Sequence, residues 1–387
     1  MLKIKLMNKI AKVGTDILSK EKYEIGTDVA GEDAIMVRSA ALHDMPFSAE
    51  LRAIARCGAG VNNIPVDKCT EKGIVVFNTA GANANAVKEL AIAALVLSSR
   101  DIIGGVKWTE TLIGSNDVAK AVEAGKSAFV GHELAGKTLG VIGLGAIGGM
   151  VANAAISLGM SVLGYDPYIT AKAAWSLAPS VKQAADYAEI FKTCDYITLH
   201  VPATPQTKNM INAKSIAQMK NGVRIINLAR ADLVDAVAVK EGLEKDKIAA
   251  YVTDFPTEET VGVKGIIAIP HLGASTIESE DHCAIMAAQQ LDEFLTCGNI
   301  KGSVNFPAVS IPLSEKPRVC IMNRNIPNML SQITSAFSAE NINIENLANG
   351  SKGEVAYTIV ETNAAASEAI IAKLKAIDGV FGVRIFA

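Results

Sequence analysis

Short apolar runs bounded by turn residues recur along the chain, separated by stretches whose apolar positions fall at helical spacing. In residues 1–98 the runs AIMVRS, LRAIARCGAG and GIVVFNTAG alternate with polar or helical sequence, which predicts a parallel sheet with crossover helices. This part closes on a helix over 83–100, with Ala91–Ala94 as a small-residue packing face. Residues 101–125 are more polar, contain Gly104-Gly105, and read as helical sequence that bridges domains. From Thr138 a second rhythm runs through TLGVIGLG, SVLGYD, CDYITLHV, GVRIINLAR, KIAAYVTD and GIIAIPHL, six or seven strands separated by helices, as in a doubly wound sheet. A long helix over about 276–297 follows. The stretch GSVNFPAVSIPLSEKP then gathers proline and serine without periodicity, and residues 306–316 read as a linker. Residues 317–387 give strand, helix, strand, strand, helix, strand, the ferredoxin-like order.

Composition narrows the classes. Among 387 residues, 37 Lys+Arg stand against 40 Asp+Glu, a net charge of −3, which removes the bulk attraction that general nucleic-acid or anionic-membrane binding relies on. Half the residues are hydrophobic but only 5% are aromatic, which suits helices layered on sheets. The longest apolar runs, such as Leu90 to Leu97, fall far short of the roughly 20 residues that span a bilayer. The N-terminal residues show no apolar signal core, and the six cysteines are scattered without a C-x-x-C pair. A cytoplasmic protein with reduced thiols and no metal site is expected.

The chemistry concentrates in the second rhythm. Gly143-Leu144-Gly145-Ala146-Ile147-Gly148 follows a strand and opens a helix, the context in which G-x-G-x-x-G cradles a pyrophosphate. Asp166 ends the next strand, where a carboxylate accepts the ribose hydroxyls and repels a 2′-phosphate, so NAD is expected over NADP. His200 ends another strand, before Val201-Pro202, and reads as a cleft-lining residue. His271 closes the last strand of this domain and is the best-placed proton carrier. Arg230 offers a planar fork for a carboxylate, and Glu258 or Glu259 a partner for the imidazole.

With VRSA at 37–40, CGAGVNNIPVD at 57–67, GLGAIG with YDPY, LHVPAT, NLARADLVD, DFPTEE and PHLGAST in order, the first 300 residues resemble the D-isomer-specific 2-hydroxyacid dehydrogenases, and the tail from 317 looks like an ACT domain. The resemblance implies a Rossmann NAD-binding domain over 99–274 and a flavodoxin-like substrate domain made of 1–98 and 275–305, with substrate and NAD meeting between them. It implies that Arg230 anchors the substrate carboxylate, Glu259 pairs with the imidazole and His271 exchanges the proton. Asp254 then faces the nicotinamide, and Gly143, Gly145, Ala146, Ile147, Gly148, Asp166, His200, Val201, Pro202, Leu228, Ala229, Arg230, His271, Gly273 and Ala274 surround the cofactor. Arg38, Ser39, Arg56 and the Gly58-Ala59-Gly60 backbone are similar to the residues that meet the substrate. In the ACT-like tail Asn323, Asn325 and Asn343 stand at effector positions, with Asn323 where serine-binding versions have a histidine. Thr260 replaces the usual proline after the glutamate. Together with the tail, these motifs imply NAD-dependent oxidation of 3-phospho-D-glycerate by a homodimer or homotetramer whose 101–125 helices reach a second subunit. The rival activities are those of a glyoxylate/hydroxypyruvate reductase or a D-lactate dehydrogenase. From a different class, the rival is a dinucleotide-sensing corepressor.

Overall fold

In the computed structural model, which describes residues 1–386, the continuous apolar runs become strands buried on both faces. Three sheets result. The first is built from β1 (Leu2–Leu6), β2 (Tyr23–Gly26), β3 (Ala34–Val37), β4 (Ala53–Arg56) and β5 (Val75–Asn78), all parallel, in the order β2-β1-β3-β4-β5. This is the flavodoxin-like order, whose functional residues lie at the carboxyl ends of the strands. All four residues of β3 are buried, as a central parallel strand requires. The helix Ile277–Cys297 lays Cys283, Ala287, Leu291 and Phe294 on this sheet's core, an apolar stripe at helical spacing.

The second sheet comprises β6 (Thr138–Ile142), β7 (Ser161–Tyr165), β8 (Lys182–Gln183), β9 (Tyr196–Leu199), β10 (Val223–Asn227), β11 (Ile248–Thr253) and β12 (Ile266–Ala268). Its order is β12-β11-β10-β9-β6-β7-β8, parallel throughout. The order reverses between β6 and β9, which is the switch point where a doubly wound sheet takes its dinucleotide.

The chain divides into two compact units: Met1–Asn83 with the residues from Ile277 onward, and Ala84–Thr276. The helix Ala84–Ser99, which the sequence pattern attaches to the first domain, lies in the second unit, with Val87, Ala91, Ala94 and Leu95 packed among Leu139, Val151 and Ala152. Its small residues offer a flat face on either side, so periodicity alone leaves its sheet undecided.

The third sheet, β13 (Arg318–Arg324), β14 (Ile344–Lys352), β15 (Val355–Thr362) and β16 (Val380–Phe386), is antiparallel in the order β14-β15-β13-β16. Strand alternation splits its side chains between two cores. Val319, Ile321 and Val360 meet Ile333 and Phe337 of the helix Met329–Ser338 and Ile370 and Leu374 of Glu368–Ala376, whereas Cys320, Met322, Tyr357 and Ile359 join the core of the first sheet. The first half of the 306–316 linker stretch is likewise packed, while residues 312–316 are exposed. Phe306, Val309 and Ile311 are buried in that shared core. Arg318, 2% exposed, is tied by Nε to Glu361 at 2.8 Å and by its terminal nitrogens to the carbonyls of Cys297, Ile311 and Pro312. Proline and serine set the turns here, while the apolar side chains between them anchor the segment.

Candidate functional site

In the second unit the three glycines of the 143–148 loop do different work. Gly143 has φ +90°, and a Cβ there would meet the His200 carbonyl. A Cβ on Gly148 would collide with the Gly143 carbonyl oxygen, so this glycine lets the helix Ala146–Ser157 pack on its strand. Around Gly145, exposed at the helix N-terminus, nothing lies within 4 Å of the Cβ position, which leaves backbone open to a pyrophosphate. Ala146 and Ile147 begin the helix beside it. Asp166 follows β7 directly and accepts the N–H of Leu144 at 2.9 Å and that of Tyr168 at 2.9 Å. Each carboxylate oxygen keeps a further lone pair for a ribose hydroxyl. His200 hydrogen-bonds Thr198 at 3.0 Å through Nε2, and burial pushes its pKa down to about 4, so the ring is neutral near pH 7. Val201 and Pro202 continue from it along the same sheet edge.

At the carboxyl ends of β10 and β11 the chain gathers its charged groups. Asn227 organises the first turn: its Oδ1 accepts the Ala229 N–H at 3.2 Å and its Nδ2 donates to the Arg230 carbonyl at 2.8 Å. Leu228 is buried and Arg230 exposed. The Arg230 guanidinium lies 6.0 Å from the centre of the Phe255 ring, and the His271 imidazole packs against that ring at 4.6 Å with the planes tilted by 47°. Phe255, within the DFPTEE motif but given no role by it, therefore joins Arg230 and His271. His271 has φ +24°, held by N–H bonds to Asp254 at 2.9 Å and Ile269 at 3.1 Å. Strain of this kind in a non-glycine residue clusters at functional sites. Asp254, 1% exposed, takes the Gly273 N–H at 3.0 Å on one oxygen, while the other is buried without a hydrogen-bond partner. Burial raises its carboxyl above the ordinary value, against the pull of the Gly273 N–H and of the charges on His271 and Arg230. Ala274 continues this turn.

Glu259 is not brought to the imidazole. The Thr257–Thr260 turn, closed by Thr257 N–H to Thr260 Oγ1 at 2.8 Å, leaves both Glu258 and Glu259 exposed. The Thr257 hydroxyl holds the Glu259 carboxyl below its usual value.

In the first unit Arg38, Ser39, Arg56 and Gly58 lie together at the carboxyl ends of β3 and β4. Three consecutive N–H groups, of Arg38, Ser39 and Ala40, converge on Asn8 Oδ1 at 3.2, 3.1 and 3.0 Å. Arg56 Nε donates to the Arg38 carbonyl at 3.0 Å. Gly58 has φ +149°, and the Arg56 guanidinium occupies the place of its absent Cβ. The Gly58-Ala59-Gly60 backbone is braced by Thr79 N–H to the Gly58 carbonyl at 3.0 Å and by Asn78 Nδ2 to the Ala59 carbonyl at 2.6 Å. Arg38 also pairs with Glu280 at 2.7 Å. Asn8 and Glu280 lie outside every motif.

In the third sheet Asn323 is buried, with Nδ2 on the Arg324 carbonyl at 2.7 Å and Oδ1 unpartnered. Asn325 donates to the Gly353 carbonyl at 3.1 Å. Asn343 stands at the other end, before β14, accepting from Asn363 on its carbonyl. The length of β13, about 20 Å at 3.3–3.4 Å per residue, separates them within one chain.

Residues 108–274 match the family model of the D-isomer specific 2-hydroxyacid dehydrogenase NAD binding domain. A D-3-phosphoglycerate dehydrogenase of Synechocystis sp. is 34% identical over 340 residues, 82% of this chain. Residues 108–274 are thus a D-isomer-specific 2-hydroxyacid dehydrogenase NAD binding domain. The D-3-phosphoglycerate dehydrogenase of Methanocaldococcus jannaschii is 37% identical over 317 residues, 79% of this chain. The chain spans 58% of the length of each of these relatives. The NAD+-bound 3-phosphoglycerate dehydrogenase of Entamoeba histolytica superposes with a TM-score of 0.62 at 28% identity, covering 79% of this chain and 98% of that one. Residues 320–382 match an AHAS small subunit-like ACT domain. The Rossmann and flavodoxin-like sheets, the NAD-binding domain and the ACT tail expected from the sequence are borne out.

Proposed function

We propose that this chain oxidises 3-phospho-D-glycerate to 3-phosphooxypyruvate with NAD, the step that opens L-serine biosynthesis. The observation that carries the reading is the likeness to D-3-phosphoglycerate dehydrogenases over 82% of the chain. The Arg38–Arg56 pair adds to it, since two guanidinium groups suit a phosphate and would be superfluous for lactate or glyoxylate. Bound NAD supplies the hydride acceptor, and the Gly143–Gly148 loop and Asp166 hold it. Arg230 pairs with the substrate carboxylate, with one guanidinium nitrogen already on the Ala229 carbonyl at 2.6 Å to fix its direction. His271 accepts the proton of the C2 hydroxyl as the C2 hydride leaves. Glu259 is assigned to the resulting imidazolium, and must exchange its Thr257 hydroxyl to reach it. Arg38, Arg56, the Ser39 hydroxyl and the 58–60 backbone meet the phosphate and the carboxylate, with Arg38 and Arg56 acting together on the phosphate. Because Asp166 repels a 2′-phosphate, NADP is a poor substitute.

The protein works in this reading as a cytoplasmic homodimer or homotetramer without nucleic-acid or membrane partners. The helices Ile102–Glu110 and Val118–Gly125 bury none of their residues and expose Ile102, Ile103, Val106 and Val118, apolar surface that a second subunit would cover. L-Serine is the proposed effector of the ACT domain, bound between two copies through Asn323 and Asn325 of one and Asn343 of the other. NAD-linked oxidation rates for 3-phospho-D-glycerate, D-glycerate and D-lactate, measured side by side, test the activity. A kcat/KM for D-lactate equal to or above that for the phosphorylated acid would overturn it.

A further inference from the structure

The guanidinium of Arg38 already carries an anion of the chain's own. Glu280 lies in the first turn of the helix Ile277–Cys297, and its Oε1 stands 2.7 Å from Arg38 Nη2, the two side chains 42% and 43% exposed. The Arg38 main chain is fixed independently of this pair, by its N–H on Asn8 and by its carbonyl on Arg56 Nε. The backbone is thus pinned while the guanidinium alone is free to change partners. An exposed ion pair is weak and exchangeable. A doubly charged phosphate reaching Arg38 therefore displaces Glu280 and leaves that carboxylate beside the incoming charge, whereas a neutral hydroxymethyl tail does neither.

We infer that Glu280 is a specificity-determining residue, an internal anion that holds Arg38 until a stronger one displaces it and so sets how tightly the site takes a dianion. The inference rests on the proposed role of Arg38 toward a phosphorylated acid. It implies a site tuned to release as well as to bind, because the same carboxylate that resists entry of the phosphate recaptures the guanidinium on its departure.

The test compares the full chain with Glu280→Gln and Glu280→Asp. Glu280→Gln should lower the KM for 3-phospho-D-glycerate roughly threefold to tenfold, the scale of one exposed charge interaction and one like-charge contact. Its kcat and its KM for D-glycerate should change little, and Glu280→Asp should return most of the wild-type KM. Calorimetric titration with inorganic phosphate should show the Gln variant binding more tightly by the same factor. Equal KM changes for the two acids, or phosphate binding that is identical in or absent from wild type and Gln variant, overturns the inference. A lowered Tm with unchanged affinities does the same, by making the pair purely structural. If no variant oxidises 3-phospho-D-glycerate, the proposed substrate fails while the phosphate titration still decides the role of Glu280.

Discussion

Replacing Gly145 and Gly148 by alanine, one at a time, separates cofactor binding from folding within a single loop. At Gly145 the backbone has φ −69° and the Cβ meets nothing within 4 Å, so alanine fits the folded chain and restricts the unfolded one. Such exchanges stabilise by about 0.4–1 kcal/mol. The methyl group would instead occupy the surface offered to the pyrophosphate, and a loss of about 1.4 kcal/mol in NAD binding is a tenfold rise in Kd. At Gly148 the methyl would strike the Gly143 carbonyl oxygen, which the strand cannot withdraw without disturbing His200. Overpacking of this kind costs about 1–3 kcal/mol, or roughly 3–10 °C in the Tm of a unit this size. Thermal melting without NAD, followed by fluorescence titration with NADH, reads both quantities. Gly145→Ala should melt at or slightly above wild type and bind NADH at least tenfold more weakly, and Gly148→Ala should melt lower. Equal Tm losses in both variants, or NADH affinity preserved in Gly145→Ala, would refute the division of labour.

His271→Ala should reduce kcat by about 10²–10⁴-fold with NADH affinity nearly intact, so a variant retaining a tenth of the wild-type rate contradicts its role. Asp166→Ala should narrow the preference for NAD over NADP and weaken both, because the carboxylate also holds the Leu144 and Tyr168 N–H groups; kcat/KM values for the two cofactors decide it. Arg318→Met, which leaves Glu361 buried and unpaired, should cost about 3–5 kcal/mol, more than Arg318→Met with Glu361→Leu, as denaturant melts would show. Although burial disfavours the charged form of Glu361, hydrogen bonds from Ser314, Asn346 and Arg318 outweigh it and depress the carboxyl. Its stabilising effect is therefore complete above about pH 5 and lost as pH falls below the unfolded value of about 4.3. Glu361→Gln should flatten the fall of Tm between pH 5 and 3, and an unchanged slope would count against the assignment.

What the sequence made legible follows from how narrowly each feature is constrained. Gly143, Gly145 and Gly148 stand out because a tight turn, an open backbone and a close helix approach each exclude a side chain. The strands of both parallel sheets stand out because burial on both faces leaves unbroken apolar runs. Arg230 and His271 are legible as types at strand ends, but the Phe255 ring between them is not, since an aromatic residue after a strand usually means only packing. The Arg38–Glu280 pair joins residues 242 positions apart (280 − 38), and no local pattern encodes it. Asn8 belongs to no motif, and its part shows only where three N–H groups converge on its amide oxygen. Glu259 followed the spacing of a family motif, and spacing cannot report that the Thr257–Thr260 turn faces its carboxylate to solvent. Prolines make the 306–316 stretch look like a linker, whereas Phe306, Val309 and Ile311 decide the packing of its first half.

The buried seat of Phe306 against Tyr357, with ring centres 6.5 Å apart, and the Arg318 bonds to the helix end bear on how this tail can be handled. Cut away after Ser314, it would leave Phe294 and Phe306 as a bare apolar face on the first sheet's side, and Met322 and Tyr357 as another on itself. Grafting it onto a different protein would carry the same wound. Limited proteolysis should accordingly spare residues 306–311 and cut, if anywhere in this stretch, at the exposed residues 312–316. A chain engineered without its tail needs polar replacements at those aromatic positions before it stays in solution.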